Sequence, residues 1–100
     1  MAYPLLCSGG YPVPEFDGVR EIAGINFTPT VVGSPMEVVL RDANNAEYNN
    51  DPDHNKHEVV KVLADGNQSY FQMFTSPIKT RRGIRATTLI NATRVILYVR

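Results

Sequence analysis

No segment of this chain sustains helical periodicity over three turns, whereas short runs rich in β-branched and aromatic residues recur between clusters of Gly, Pro, Asn and Asp. That pattern restricts the fold to the all-β class. Folding a chain of 100 residues removes roughly two thirds of the unfolded surface from water, so one thin core is expected. Several short strands with frequent turns predict a small antiparallel β-sandwich or barrel, jelly-roll-like, preceded by an extended N-terminal arm.

Residues 19–27 read as the first strand of the body, with Gly24 interrupting the alternation of Ile22, Ile25 and Phe27 as a bulge or close contact would, and Pro29 ending it. In residues 36–41, Met36, Val38 and Leu40 fall on one face and Glu37, Val39 and Arg41 on the other. Asp42 to Ala46 carries turn chemistry, Glu47 and Tyr48 briefly resume pairing, and the polar tract 49–57 is loop. Residues 58–64 and 69–75 then form strands around Asp65-Gly66-Asn67, which reads as a tight hairpin turn. Residues 84–90 and 94–99 form a closing pair, with Ile84, Ala86, Thr88 and Ile90 on one face and Val95, Leu97 and Val99 on one face of the partner.

The texture changes at Gly18. Residues 1–18 combine Pro4, Pro12 and Pro14 with Gly9, Gly10 and Gly18 around Tyr3, Leu5, Leu6, Tyr11, Val13 and Phe16. Proline fixes φ and removes a backbone donor, so this arm runs extended along a surface and cannot form a central strand. Its apolar side chains need cover, either by folding back on the body (19–100) or by reaching a neighbouring subunit or partner. Tyr3, Leu5, Leu6, Tyr11, Val13 and Phe16 are therefore candidate interaction residues.

Charge is unevenly distributed. Residues 77–100 hold Lys79, Arg81, Arg82, Arg85, Arg94 and Arg100 and no acid, whereas residues 1–76 set ten acids against four bases, giving +6 and −6 in a chain of net charge zero. Such a dipolar sequence suits self-association or docking rather than attraction to a uniformly charged partner. Arg81, Arg82 and Arg85 join the candidate interaction residues, placed on a turn and strand edge to face acids across an interface. With Tyr70, Phe71 and Phe74 as stacking platforms they would also suit a single-stranded nucleic acid. Core roles for the aromatics and solvation or local pairing for the arginines are the stronger reading, and the acidic remainder disfavours a polyanion.

Little else carries chemistry. From Asp51, an EF-hand loop would need Gly at the sixth position and a carboxylate at the twelfth, where the chain has Lys56 and Val62. His54 and His57 with Asp51 or Glu58 could meet a zinc ion, but loop spacing does not aim them at one point, so no metal and no cofactor are expected. Neither histidine has a Ser or Cys nucleophile nearby in sequence, and no catalytic residue is assigned. Cys7 is the sole cysteine, so no internal disulfide forms. The N-terminus lacks the charge and apolar run of a secretory signal, and no stretch approaches the roughly 20 apolar residues of a membrane span. Cytosol-like conditions are expected, and Asn26, Asn67 and Asn91, each heading an N-x-Ser/Thr triplet, read as turn and strand residues.

The layout as a whole carries a resemblance. Ile22-Ala-Gly-Ile-Asn-Phe27, Val38-Val-Leu-Arg-Asp42 with its Asn-rich turn, Phe74-Thr-Ser-Pro77, Gly83-Ile84 and Arg94-Val-Ile-Leu-Tyr-Val-Arg100 look like small all-β virion proteins of tailed bacteriophages. The proline-rich arm departs from the shorter starts expected there. The resemblance implies a non-enzymatic decoration or cement protein, made in the host cytoplasm and carried on the capsid surface. Its partners would be the major capsid protein and itself, commonly as a homotrimer, with residues 3–16 holding subunits together or gripping the shell. The alternatives are a head–tail or tail component and a small nucleic-acid-binding barrel.

Overall fold

A computed structural model describes residues 3–6, 13–44 and 57–100. Among them are eight strands: β1 (Tyr3–Leu6), β2 (Phe16–Asp17), β3 (Glu21–Pro29), β4 (Met36–Arg41), β5 (Glu58–Ala64), β6 (Tyr70–Lys79), β7 (Gly83–Ile90) and β8 (Ala92–Val99). They form two four-stranded sheets in the orders β1-β8-β3-β6 and β2-β7-β4-β5. Every pairing is antiparallel. Among the described strands, only β4 and β5 are both consecutive in the chain and adjacent in a sheet, and every other step crosses between sheets. This strand order is that of a jelly roll, which folds two Greek keys into a double sheet.

The crossing pattern corrects two of the sequence expectations. Asp65-Gly66-Asn67 does form a tight reversal, with the Asn67 N–H donating to Asp65 Oδ1 at 3.0 Å and Gly66 at φ +81°. It is a corner, not a hairpin, because β5 pairs with β4 and β6 pairs with β3. The corner seats on the β3–β4 connection, where Gly33 N–H donates to Gly66 O at 3.0 Å, and a Cβ on Gly66 would collide with the Ser34 carbonyl oxygen. Likewise β7 and β8 do not pair with each other. Asn91 turns the chain from one sheet to the other at φ +52°, a left-handed backbone that Asn tolerates. Its side-chain amide donates to Val31 O at 2.9 Å and Ser34 O at 2.8 Å and accepts from Val31 N–H at 2.8 Å, clasping the same connection. Turn chemistry specifies a reversal, but the sheet each strand joins is decided by where its apolar face finds cover.

Between the sheets lies one core built of alternate residues. Ile22, Ile25 and Phe27 of β3, Met36, Val38 and Leu40 of β4, Ile84 of β7, and Val95, Leu97 and Val99 of β8 are buried in it. The alternation expected in β4 and β8 is present. In β7 it breaks. The register with β4 shifts between Val39 and Leu40, so that Val39 faces Thr88 and Leu40 faces Ala86. Thr87 is the extra residue and donates through its hydroxyl to Val39 O at 3.2 Å. Beyond this bulge Leu89 packs on the core and Ile90 is exposed. Gly24 sits at a comparable irregularity in β3, where a Cβ would collide with Met73 Sδ. Strand β6 runs through Pro77 to Lys79, beyond the expected end at Thr75, because an edge strand tolerates a residue without an N–H.

Candidate interaction surface

The N-terminal segment belongs to both sheets. β1 lies antiparallel on β8, with Pro4 opposite Tyr98, Leu5 opposite Leu97 and Leu6 opposite Ile96. β2 lies on β7, with Phe16 opposite Ile84 and Asp17 opposite Gly83. Val13 is 1 % exposed within the core, and Leu5 and Phe16 pack against it. The proline-containing strand takes an edge, as the missing donor requires, and the described residues 3–6 and 13–18 are built into the two sheets and the core instead of being laid on a finished body 19–100. Of the candidate interaction residues here, Tyr3 is placed by its backbone opposite Val99 and Tyr11 lies outside the described residues. Leu6, 61 % exposed, presents an apolar side chain to solvent.

Arg85 is the principal fastener of this segment and is itself buried. Its Nη1 donates to Phe16 O at 2.9 Å and Ile84 O at 2.6 Å, its Nη2 donates to Asp17 Oδ1 at 2.6 Å, and its Nε lies 4.0 Å from Glu15 Oε2. An arginine engaged this way inside its own chain does not face acids across an interface, which corrects the expectation drawn from the sequence. Thr80, fully buried, adds a second fastening by donating to Gly18 O at 3.0 Å while accepting from Arg20 N–H at 3.1 Å.

Arg81 and Arg82 are exposed on the β6–β7 turn. The turn is capped by Asp42, whose carboxylate accepts backbone N–H bonds from Arg81 at 2.9 Å, Arg82 at 2.8 Å and Gly83 at 3.1 Å. Partial burial pushes the Asp42 carboxyl up. The N–H donors of Arg82, Arg81 and Gly83, together with the Arg82 charge, more than offset this and hold it below the usual carboxylate range. A group depressed in the folded state contributes stability above its unfolded pKa of about 3.9 and loses it as pH falls through the folded value. Asp42→Asn is therefore expected to destabilise the protein by about 1 kcal/mol at neutral pH, solvent screening keeping the effect small. The difference from wild type should shrink below about pH 4, which urea titrations across that range would read.

These contacts also change the meaning of the charge split. Asp42 with the 81–83 turn, Glu15 and Asp17 with Arg85, and Glu21 with Arg100 at 3.8 Å all join the acidic part of the sequence to the basic part within one chain. The jelly roll interleaves early and late strands, so opposite charges far apart in sequence become neighbours.

A shallow cleft of about 270 Å³ is lined by Asp42, His57, Val59, Arg81 and Arg82. Its carboxylate is committed to the backbone cap, and among the described residues no nucleophile lines it. His54, Asp51 and Asp53 lie outside the described residues, and among the described ones no three His, Cys, Asp or Glu side chains gather as metal ligands. Tyr70 and Phe74, candidate stacking platforms for bases, pack against the core, Tyr70 stacking on Phe27 with ring centroids 5.2 Å apart.

The outer face of the β1-β8-β3-β6 sheet is different in character. In one row across the strands stand Leu6, Ile96, Asn26 and Phe71, and in the next Pro4, Tyr98, Gly24 and Met73. Phe71 and Met73 are 57 % and 48 % exposed, and Phe71 meets Tyr98 edge-on at 5.6 Å across the intervening Gly24 strand. Ile96 and Tyr98 are half-buried and alternate with the buried Val95, Leu97 and Val99. Apart from Asn26, both rows are apolar, and they span roughly 14 Å at ordinary strand spacing. Sequence reading missed this face. The available signal was that β6 carries large apolar residues at both parities, Tyr70 and Phe74 facing inward and Phe71 and Met73 outward.

Fold and surface together define a small jelly-roll protein with an apolar outer sheet face. No helix among the described residues is long and apolar enough to cross a membrane. Comparison with known proteins adds no relative: no family model matches the chain, and no curated protein and no solved structure resembles it significantly.

Proposed function

We propose that this protein is a non-enzymatic structural protein of a bacteriophage virion, a decoration or cement protein that docks on the outer capsid shell between capsomers. The observation that carries the reading is the apolar outer face formed by Leu6, Phe71, Met73, Ile96 and Tyr98 on a rigid double sheet. Contiguous apolar surface of this kind is the usual mark of an interaction site. Burial of such a face releases about 25 cal/mol per Å² of apolar area, and a shell strained by packaged DNA is strengthened by any ligand that prefers the assembled state. The partners are then the major capsid protein and further copies of this chain, and the location is the capsid surface after synthesis in the host cytoplasm. Jelly rolls serve many functions, so the fold supports the reading without specifying it.

The test is co-sedimentation of the purified chain with empty shells assembled from the major capsid protein of the same phage. Saturable binding is expected, weakened roughly tenfold or more by Leu6→Glu, which puts a charge into the apolar face. Absence of binding, together with absence of the chain from purified virions by mass spectrometry, would overturn the reading.

A further inference from the structure

A sheet edge exposes unpaired N–H and C=O groups, and folds ordinarily blunt each edge with shortness, proline or charge. Three of the four edges here are treated in this way along their length, whereas β6 carries such features only at its C-terminal end, at Pro77 and Lys79, where its register with β3 also shifts past Met73. β1 has four residues and contains Pro4, β2 has two residues, and β5 carries exposed Glu58 and Lys61. The fourth edge, β6, is the longest strand of the fold at ten residues, and from Tyr70 to Ile78 it contains no charged side chain. Among the described residues its pairing partner is β3 alone. Phe71 and Met73 stand exposed beside this edge, and the Tyr70 hydroxyl donates to Gln72 Oε1 on the opposite side of the strand.

We infer that β6 is a self-pairing edge, through which two copies of the chain join antiparallel into one continuous eight-stranded sheet. Pro77 has no N–H and limits the pairing to residues 70–76, whose centre is Met73. A two-fold axis beside Met73 sets Met73 against Met73, Gln72 against Phe74 and Phe71 against Thr75 of the second copy. Such a contact is isologous and closes on itself. A second copy suits the edge better than a charged peptide because the strand offers no ion to pair and, facing itself, no like charges to repel. The pairing also makes the apolar faces of two copies contiguous around Phe71 and Met73. It stands on β6 alone and does not depend on the capsid reading, although it replaces the three-fold assembly which the phage resemblance implies.

Light scattering on the full-length chain during size-exclusion chromatography tests this directly. The expected mass is twice the 11.1 kDa of one chain. Met73→Lys places two ammonium groups against each other at the axis and should raise the dimer dissociation constant by roughly tenfold or more, with the circular dichroism spectrum unchanged. As a positive control on register, Met73→Cys in a Cys7→Ser background should form an intermolecular disulfide on mild oxidation, while Val32→Cys in the same background should not. A mass of one or three chains at every concentration, or a dimer indifferent to Met73→Lys, would overturn the inference. If that monomer or trimer still co-sediments with shells, the capsid reading stands without it.

Discussion

Phe27→Ala is expected to remove about 3–5 kcal/mol of folding stability, the range for emptying the site of a fully buried aromatic. Phe27 is fully buried in β3, which pairs with both β6 and β8 at the centre of its sheet, and its ring stacks on Tyr70. The loss therefore combines transfer of the ring to a cavity with disruption of the packing that holds the β6 edge strand. A domain of this size has about 5–15 kcal/mol in total, so the variant should be marginal. Urea unfolding followed by circular dichroism reads the change directly. An unfolding free energy within about 0.5 kcal/mol of wild type, the size of an ordinary surface substitution, would mean that the two sheets do not pack through Phe27.

Gly83→Ala should cost a comparable amount for a different reason. Gly83 has φ +151°, and a Cβ there would collide with the carbonyl oxygens of Phe16 and Ala43, the latter at 2.8 Å, and approach Asp17 Cα at 3.0 Å. All three are backbone atoms, held in place by the β2–β7 pairing and by the Asp42 cap, so no side-chain rotation relieves the contact. Overpacking of this kind costs about 1–3 kcal/mol, and the disfavoured φ adds about 1–2 kcal/mol. For a 100-residue chain that corresponds to a fall in Tm on the order of 15 °C. Scanning calorimetry checks the size of the fall. Hydrogen exchange checks its location, since the Gly18 N–H, bonded to Arg82 O at 2.8 Å, should lose protection. An unchanged Tm with full protection would show that β2 does not lie against Gly83.

The same close approach alters how the N-terminal segment should be probed. Removing residues 1–18 would strip the edge strand β1, β2 and the buried Val13, and would leave Arg85 without Asp17 and Glu15. Truncation therefore tests folding before it tests docking. Single substitutions on the outer face, such as Leu6→Glu, separate the two.

Much of the local structure was legible because it rests on near-neighbour physics. The alternation of Met36, Val38 and Leu40, and of Val95, Leu97 and Val99, marks one face of a strand wherever that strand is eventually placed. Gly24 signalled a bulge, and Asp65-Gly66-Asn67 and Asn91 signalled reversals, since these residues accept backbone geometry that others resist. The candidate surface was far less legible. Leu6 was identifiable as an apolar residue in an extended proline-bearing arm, but Phe71, Met73, Ile96 and Tyr98 could not be joined to it before the register of β1, β8, β3 and β6 was known. Arg85 looked like its neighbours Arg81 and Arg82, and only the docking of β2 makes it a buried fastener.

The all-β class, the positions of most strands and turns, and the inward faces of β4 and β8 follow from the amino-acid sequence, because side-chain period and turn conformation depend on a few adjacent residues. Tertiary structure alone decided which strands pair, which charges neutralise one another and which apolar side chains remain outside. Those outcomes depend on contacts between residues up to 96 positions apart, as in the pairing of Tyr3 with Val99, and a pattern along the chain does not specify which of its matching faces will meet.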